Sequence, residues 1–410
     1  MKKYYDILIV GGGAAGFFSA INIAERVPNL KIGILERGSE VLTKVKVSGG
    51  GRCNVTHAQF IPSELAKNYP RGEKELLGPF HTFMTGDTIT WFEERGVSLK
   101  TEEDGRIFPI SDSSQTIIDC FLSEIKRLKV EVLKNQSVKN IEIKETSFIV
   151  STTSEDFFTE KLVVATGSNP KIWNLMETLG HTVVPPVPSL FTFNIKDERI
   201  TNLPGIATDA SVQVISDTGK VLLESHGPLL ITHWGMSGPA ILKLSAWGAR
   251  WLAPLHYHFT IKVNWLDFFS ETEALNALLE FKNTNPKQTL SKYTQFHLPK
   301  RLWQSLLLAS GIPAHKTWAD CSKTELQNLA HQLTQSQFQV TGKSTFKEEF
   351  VTAGGVDLKE VNFKTFESKI HRNLYFAGEV LNIDAITGGF NFQNAWTGGF
   401  IVANALAEKI

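Results

Sequence analysis

Tyr5-Asp6-Ile7-Leu8-Ile9-Val10-Gly11-Gly12-Gly13-Ala14-Ala15-Gly16 leads into a run of small and apolar residues (17–24), then into Lys31-Ile32-Gly33-Ile34-Leu35 and Glu36. Residues 6–10 are nearly continuous apolar sequence, as expected of a parallel strand buried on both faces. The run after Gly16 has helical character and Pro28-Asn29 ends it. A second short strand follows, with an acid at its end. Gly11 allows a tight turn out of the strand, Gly13 lacks the side chain that would block a pyrophosphate, and Gly16 lets the helix lie close to the sheet. The diphosphate then meets free N–H groups at the positive end of the helix dipole. Glu36 stands 20 residues beyond Gly16, where a carboxylate accepts hydrogen bonds from ribose hydroxyls and repels a 2′-phosphate. A lone G-x-G-x-x-G is equally a glycine turn with no ligand. The strand before it, the helix after it and the spaced acid together make it a dinucleotide site.

Downstream, Lys44-Val45-Lys46-Val47-Ser48-Gly49-Gly50-Gly51-Arg52-Cys53-Asn54-Val55-Thr56 reads as a built polar loop. Its three glycines permit positive φ and close backbone approach to something flat or anionic. Arg52 and Lys44 place positive charge beside it, although a flexible turn with solvated charges has the same composition. Near the other end, Asn373-Leu374-Tyr375-Phe376-Ala377 reads as a buried strand ending at Gly378-Glu379, and Gly388-Gly389 leads into an Ala-rich helical stretch over 395–409. A second glycine-lined helix start would put more N–H donors against the same ligand.

Between these ends, residues 87–95 and 116–128 read as helices, and 130–133, 137–143, 147–152 and 156–164 as strands. Val184-Pro185-Pro186-Val187-Pro188 is stiff and extended, a natural boundary. Residues 190–263 show short β segments with turns expected at Asp217-Thr218-Gly219 and Gly227-Pro228. Residues 265–335 are Leu-, Ala- and Gln-rich with helical spacing, and Trp303 and Trp318 there suit a core. A strand over 338–346 is expected to return the chain. The expected organisation is an α/β, Rossmann-like domain made of 1–190 and 346–410, an inserted β-rich domain of 191–264 and 336–345, and a nested helical subdomain of 265–335.

The chain has 410 residues, 42% of them hydrophobic and 20% charged, which is enough for two or three domains with large cores. Lys+Arg and Asp+Glu both number 42, so no global field draws nucleic acid or an acidic membrane, although a local patch stays open. Lys343, Lys347, Lys359, Lys364, Lys369 and Arg372 form the basic cluster read from the sequence; a solvated face is its ordinary explanation. Cys53, Cys120 and Cys321 make neither a disulfide framework nor a metal site, pointing to a reducing, cytoplasmic setting. Lys2-Lys3 before an apolar run imitates a signal peptide, but Asp6 and the glycines interrupt it. No stretch is long and apolar enough to span a bilayer.

The Gly11–Gly16 turn, Glu36 and the Ser48–Thr56 run together resemble the HI0933-like flavoproteins, a bacterial family of FAD-dependent oxidoreductases with a glutathione-reductase-like fold. Gly105-Arg106-Ile107-Phe108-Pro109, the strand ending in Ala165-Thr166-Gly167, the Thr232-His233-Trp234-Gly235-Met236-Ser237-Gly238-Pro239 loop and the block from Gly354 to Asn391 resemble the family's further motifs. The resemblance spans nearly the whole chain. It implies FAD held by Gly11, Gly13, Ala14, Ala15, Gly16, Glu36, Arg37, Lys44, the Ser48 to Asn54 loop (Ser48, Gly49, Gly50, Gly51, Arg52, Cys53, Asn54), Val138 near the adenine, Ala165, Thr166, Gly167, Gly378, Glu379, Gly388, Gly389, Phe390 and Asn391. It also implies that the closing helix faces flavin N1 and C2=O. Relatives usually continue past the A-T-G turn into a Gly-rich loop. Here Ser168-Asn169-Pro170-Lys171 runs straight into helix, so substrate preference does not transfer.

No second G-x-G-x-x-G and no C-x-x-C accompany these motifs, so NAD(P)H, if used, visits transiently and no redox disulfide takes part. Cys53 reads either as a low-pKa thiol or proton donor, or as a small buried residue shaping the loop, which is the commoner fate. His233 reads as an acid/base or as a satisfied structural histidine. Arg52 with Lys44 reads as a stabiliser of negative charge, and Glu379 as a cofactor or loop-ordering contact. No metal is expected. The leading reading is an FAD-dependent oxidoreductase that takes hydride from NAD(P)H and reduces an activated C=C bond of a small molecule. The alternatives are a ribosomal RNA dihydrouridine synthase and, from another class, a flavin-binding sensor or assembly factor without turnover. Oligomeric state is not readable.

Overall fold

A computed structural model of the chain describes residues 3–344 and 351–409. Lys347, and the expected strand end at 346, lie outside the described residues. The chain divides into two compact units, one of residues 1–187 with 351–410 and one of 188–350.

The first unit is built on the opening strand, Lys3–Val10. Ile7, Leu8 and Ile9 are fully buried because parallel neighbours flank them on both sides: Leu8 pairs with Gly33 of Ile32–Leu35 and with Leu162 of Asp156–Val164. Leu374–Phe376 extends the sheet in parallel beyond Asp156–Val164 (Tyr375 opposite Val163), and Glu131–Leu133 extends it beyond Ile32–Leu35. The last strand of the chain thus sits one strand away from the first.

Each of these two strands feeds a helix, Ala14–Arg26 and Phe390–Ala407 respectively. Parallel strands deliver both helix starts to the same carboxyl edge. The helices touch along their length. A Cβ on Gly399 would stand 3.0 Å from Ser19 Oγ, Phe18 and Trp396 rings lie 5.2 Å apart, and Arg26 Nε donates to Asn404 Oδ1 at 2.7 Å. Small residues at the crossing permit this approach, and the aromatic residues beside it seal it. A three-stranded sheet, Thr56–His57, Arg106–Pro109 and Leu99–Thr101, stands apart from the main one.

The second unit is a closed barrel with strand order Thr192–Ile195, Gly235–Ser237, Val221–Thr232, Ala207–Ile215, His258–Asn264, Ser336–Ser344. Ala210, Val212 and Val214 alternate inward, as do Phe259, Ile261 and Val263. Three helices, Glu271–Thr284, Lys300–Ala309 and Lys323–Thr334, share one continuous core with the barrel through Trp265, Trp303 and Trp318.

Three local expectations are corrected. Gly227-Pro228 does not turn the chain: it lies inside the strand Val221–Thr232, opposite Ala210 and Asp209. Gly227 takes φ +126, which bends a strand without ending it. Residues 239–252, read as part of a β region, form the helix Pro239–Leu252. Its signal was present, with proline at the first helical position after Gly238, apolar residues at 241, 244 and 252, and small ones at 248 and 249. The polar loop after Glu36 begins as a helix, Thr43–Gly51, whose backbone leaves helical geometry at Ser48, Gly49 and Gly50.

Candidate functional site

The glycine turn shows why each glycine is there. A Cβ on Gly11 would stand 2.3 Å from the Ala165 carbonyl oxygen, and one on Gly16 would stand 1.9 Å from that of Gly11. Those two positions are closed by the protein itself. Gly13 differs, because a Cβ there would meet nothing within 4 Å. Gly13 is also the cap of the first helix, with no side-chain cap bond and no acid in the first turn. The N–H groups at this end therefore face open space suited to an anion.

Glu36 is half-buried at the next strand end. Its Oε2 accepts from Gly12 N at 2.9 Å and its Oε1 from Gly38 N at 2.7 Å. Each oxygen keeps a further lone pair for a hydroxyl. Beside it opens a cleft of about 540 Å3, mouth included, lined by Glu36, Arg37, Val138, Thr166, Lys171 and Ile172 among others. The carboxylate and the two aliphatic residues suit a ribose and a flat base.

The second half of the site comes from distant sequence. Leu42 N donates to Gly12 O at 2.8 Å, hanging the Thr43–Gly51 helix from the glycine turn. Lys44 Nζ donates to Glu379 Oε2 at 2.8 Å, and Gly378 packs so close to Ala15 that a Cβ would stand 3.1 Å from that methyl. Gly49, Gly50, Gly51 and Cys53 all hold positive φ (57, 68, 84 and 61). Gly49 is pressed against Phe108, whereas Cβ atoms on Gly50 and Gly51 would meet nothing within 4 Å. The closing helix starts at Gly389 with no side-chain cap and no acid in its first turn. A Cβ there would lie 2.6 Å from Thr56 O and 2.8 Å from Asn54 Oδ1. Asn54 is buried and its Oδ1 has no hydrogen-bond partner among the described residues, so an acceptor waits at this helix start for a donor. Asn391 is committed to the backbone, its Oδ1 accepting from Ala385 N at 3.0 Å.

The three candidate catalytic residues fare differently. Cys53 is fully buried, and loss of solvent pushes its thiol up to about 12, the reverse of an activated thiolate. Arg52 donates to Glu102 at 2.6 Å and Asp112 at 3.3 Å, and stacks 3.9 Å above the Phe108 ring. Its charge is already answered, and it anchors the glycine loop to the small sheet. His233 belongs to the second unit, exposed in the turn between Val221–Thr232 and Gly235–Ser237.

The sequence reading passed over two positions. His57 stacks on Phe390 with centroids 4.6 Å apart, and its Nδ1 lies 3.1 Å from Gly388 O, so it shapes the Gly388-Gly389 turn. Its only sequence signal was adjacency to Thr56. Arg71 and Asp384 form an ion pair, with Nε to Oδ1 at 2.5 Å, and Asp384 is fully buried. Nothing in the spacing of residues 313 apart announces that pair.

Two uncapped helix starts without acids, open glycines at 13, 50 and 51, an orphaned Asn54 oxygen and a carboxylate-lined cleft within one unit fit a long dinucleotide with a flat second ring. The HI0933-like protein Rossmann domain matches residues 5–405. The chain belongs to the HI0933-like family of FAD-dependent oxidoreductases. An HI0933-like relative named ribosomal RNA dihydrouridine synthase, from Haemophilus influenzae, is 29% identical over all of both chains. A 3-dehydro-bile acid delta(4,6)-reductase from Clostridium scindens is 28% identical over 98% of each. The 3-ketosteroid delta1-dehydrogenase of Sterolibacterium denitrificans shares the fold, with TM-score 0.51 and 12% identity over 100% of both chains. Among the described residues, no helix of this HI0933-like chain is long and apolar enough to cross a membrane.

Proposed function

We propose that this chain takes hydride from NAD(P)H and reduces a C=C bond conjugated to a carbonyl. The observation that carries the reading is the start of the closing helix, uncapped and acid-free, with the unpartnered Asn54 oxygen beside it. FAD, when bound, supplies two-electron hydride chemistry. In this reading Glu36 takes the ribose hydroxyls, Val138 and Ile172 enclose the adenine, and the Gly13 N–H end takes the diphosphate. Gly50 and Gly51 admit the isoalloxazine ring, and the Gly389 helix start favours the negative charge a reduced ring carries. Lys44 and Glu379 pin the two chain ends that must meet around it. Cys53 and Arg52 shape and anchor the loop. The bile acid reductase, a full-length relative, supports a conjugated C=C acceptor.

A second reading names the acceptor as a uracil ring of ribosomal RNA, which also presents a C=C bond conjugated to a carbonyl. The relative named ribosomal RNA dihydrouridine synthase supports it. Anaerobic mixing with NADPH or NADH tests the shared half: the flavin absorption band should bleach and return on adding acceptor. An unchanged spectrum with both nucleotides ends the NAD(P)H reading. Loss of a dihydrouridine from ribosomal RNA in a deletion strain would establish the second reading, and an unaltered profile would remove it.

A further inference from the structure

Between Glu280 and Asp320 the chain carries no acidic residue, in a protein where about one residue in ten is acidic. The same stretch holds Lys282, Lys287, Lys292, Lys300, Arg301 and Lys316, with His297 and His315. It comprises the end of the helix Glu271–Thr284, the long connection to Lys300–Ala309 and the loop beyond. The fold gathers these cations. Thr289 bridges Thr317, Leu290 N donates to Lys316 O at 3.1 Å, Trp318 N donates to Gln288 O at 3.0 Å, and Ala319 N donates to Pro286 O at 2.8 Å. The segment with Lys287 and Lys292 is therefore laid alongside the segment with His315 and Lys316.

Their pairing is uneven. Lys316 is met by Glu325 at 2.5 Å, while Lys282 and Arg301 donate to the carbonyls of Cys321 and Asn202. Lys287, Lys292 and Lys300 are exposed and have no carboxylate partner among the described residues. Lys300 and Arg301 open their helix, whose first turn contains no acid and whose Pro299 cap contributes no side-chain bond. Cations at that end oppose the helix dipole; Arg301 is held by the Asn202 carbonyl, whereas the dipole gives no reason for Lys300 to stand there. Tyr293, in the same connection as Lys287 and Lys292, is 55% exposed, and Asn283 and Gln288 of this stretch are exposed as well.

We propose that this face of the second unit docks single-stranded or looped RNA. Unpaired lysines meet phosphates, an exposed tyrosine offers a plane for an unstacked base, and amide side chains reach sugar and base edges. A lipid surface would call for a wider apolar face, and an acidic protein would not need the amide and aromatic groups. The cluster Lys343, Lys359, Lys364, Lys369 and Arg372, favoured by the sequence, is a poorer candidate. Lys343 belongs to the second unit and the other four to the first, and Lys369 Nζ donates to Lys359 O at 2.8 Å. The inference deepens the second reading of function, and RNA binding is measured separately from flavin reduction, so either can fail alone.

The test is fluorescence anisotropy of the full-length, flavin-loaded protein with a labelled single-stranded RNA of mixed sequence across a salt series. Parallel titrations use DNA duplex, phosphatidylserine vesicles and polyglutamate. RNA should bind tightest, and K287Q/K292Q/K300Q should weaken it about tenfold or more while lowering the salt slope by about 2, from roughly 0.7 per phosphate contact. Y293A should weaken binding about tenfold with the slope unchanged. Flavin content and melting temperature report folding of each variant. Absence of RNA binding by the unaltered protein overturns the proposal, as does equal binding by a folded triple variant. Stronger binding to vesicles or polyglutamate, lost in the triple variant, overturns it in favour of a membrane or an acidic protein.

Discussion

Glu36 is the residue on which the proposed adenosine end turns. Its carboxylate accepts two backbone N–H bonds and, when cofactor is present, is expected to take ribose hydroxyls as well. Glu36→Gln keeps the shape and removes the charge; hydrogen bonds to charged groups contribute about 1.5–3 kcal/mol. Fluorescence titration of flavin-free protein should show FAD affinity reduced about ten- to a hundredfold, and an unchanged affinity would remove Glu36 from the ribose. Its place was legible because spacing from a glycine turn is a local property of strand and helix lengths. Cys53 was not legible in the same way. Sequence placed the thiol in the glycine loop, but only the packing shows that it is enclosed and pushed up to about 12. Burial is a property of the fold and leaves no mark on neighbouring letters. His181 carries a further consequence of burial. Its Nδ1 lies 2.9 Å from Glu360 and its Nε2 lies 3.1 Å from Ser368 Oγ. Desolvation lowers its pKa below the usual histidine value despite the nearby carboxylate. A depressed folded pKa means that the unfolded chain binds the proton more readily. The stability contributed is whole above about pH 6.5 and lost as pH falls toward the folded value. Melting temperature should decline as pH is lowered from 7 through that window. His181→Gln, which can still bridge Glu360 and Ser368, should flatten the decline; a variant declining as steeply as the parent would exclude His181 as its source.

At the scale of elements, the strand–turn–helix units at the two ends were readable because each carries its own periodicity and its own glycines. The helix Pro239–Leu252 was hidden by surrounding β segments, and the Gly227-Pro228 turn was invoked where a closed barrel keeps the strand running. Tertiary pairing overrode the local signal in that second case. The Arg71–Asp384 pair shows what joins elements that sequence leaves unconnected. It ties the segment before the helix Glu73–Thr82 to the block before the closing helix, where Asp384 is fully buried and Gly72 lies against Ile383. Arg71→Leu strips a buried carboxylate of this cation, a change that costs about 3–5 kcal/mol. Chemical denaturation should show that loss, accompanied by reduced flavin retention because the Gly388-Gly389 turn follows Asp384 closely. Replacing both partners, R71L with D384L, should recover part of the stability. A double variant less stable than R71L would show that the aspartate serves by something other than its ion pair.

Over the whole molecule, the residues proposed to hold the cofactor all lie in the unit formed by the two ends of the chain. The middle of the chain supplies a barrel with its own core. The boundary residues make this testable. Val183–Ser189, of which the residues up to Val187 belong to the first unit, pairs with Val351–Val356, and a Cβ on Gly354 would stand 2.7 Å from Pro186 Cα. The chain therefore leaves and re-enters at neighbouring points. In the second unit Thr192 is paired with Ser344, so its entrance and exit are neighbours as well. Replacing 188–350 with a short Gly/Ser linker closes a small loop between ends that already meet, and closure entropy grows only slowly with loop length. The shortened protein should be yellow, retain FAD through gel filtration and unfold cooperatively. The excised 188–350 piece should fold alone and stay colourless, since its barrel and three helices share a single hydrophobic core. A shortened protein that folds but holds no flavin would mean that the inserted unit completes the cofactor site, and the two-ended cradle would then be insufficient.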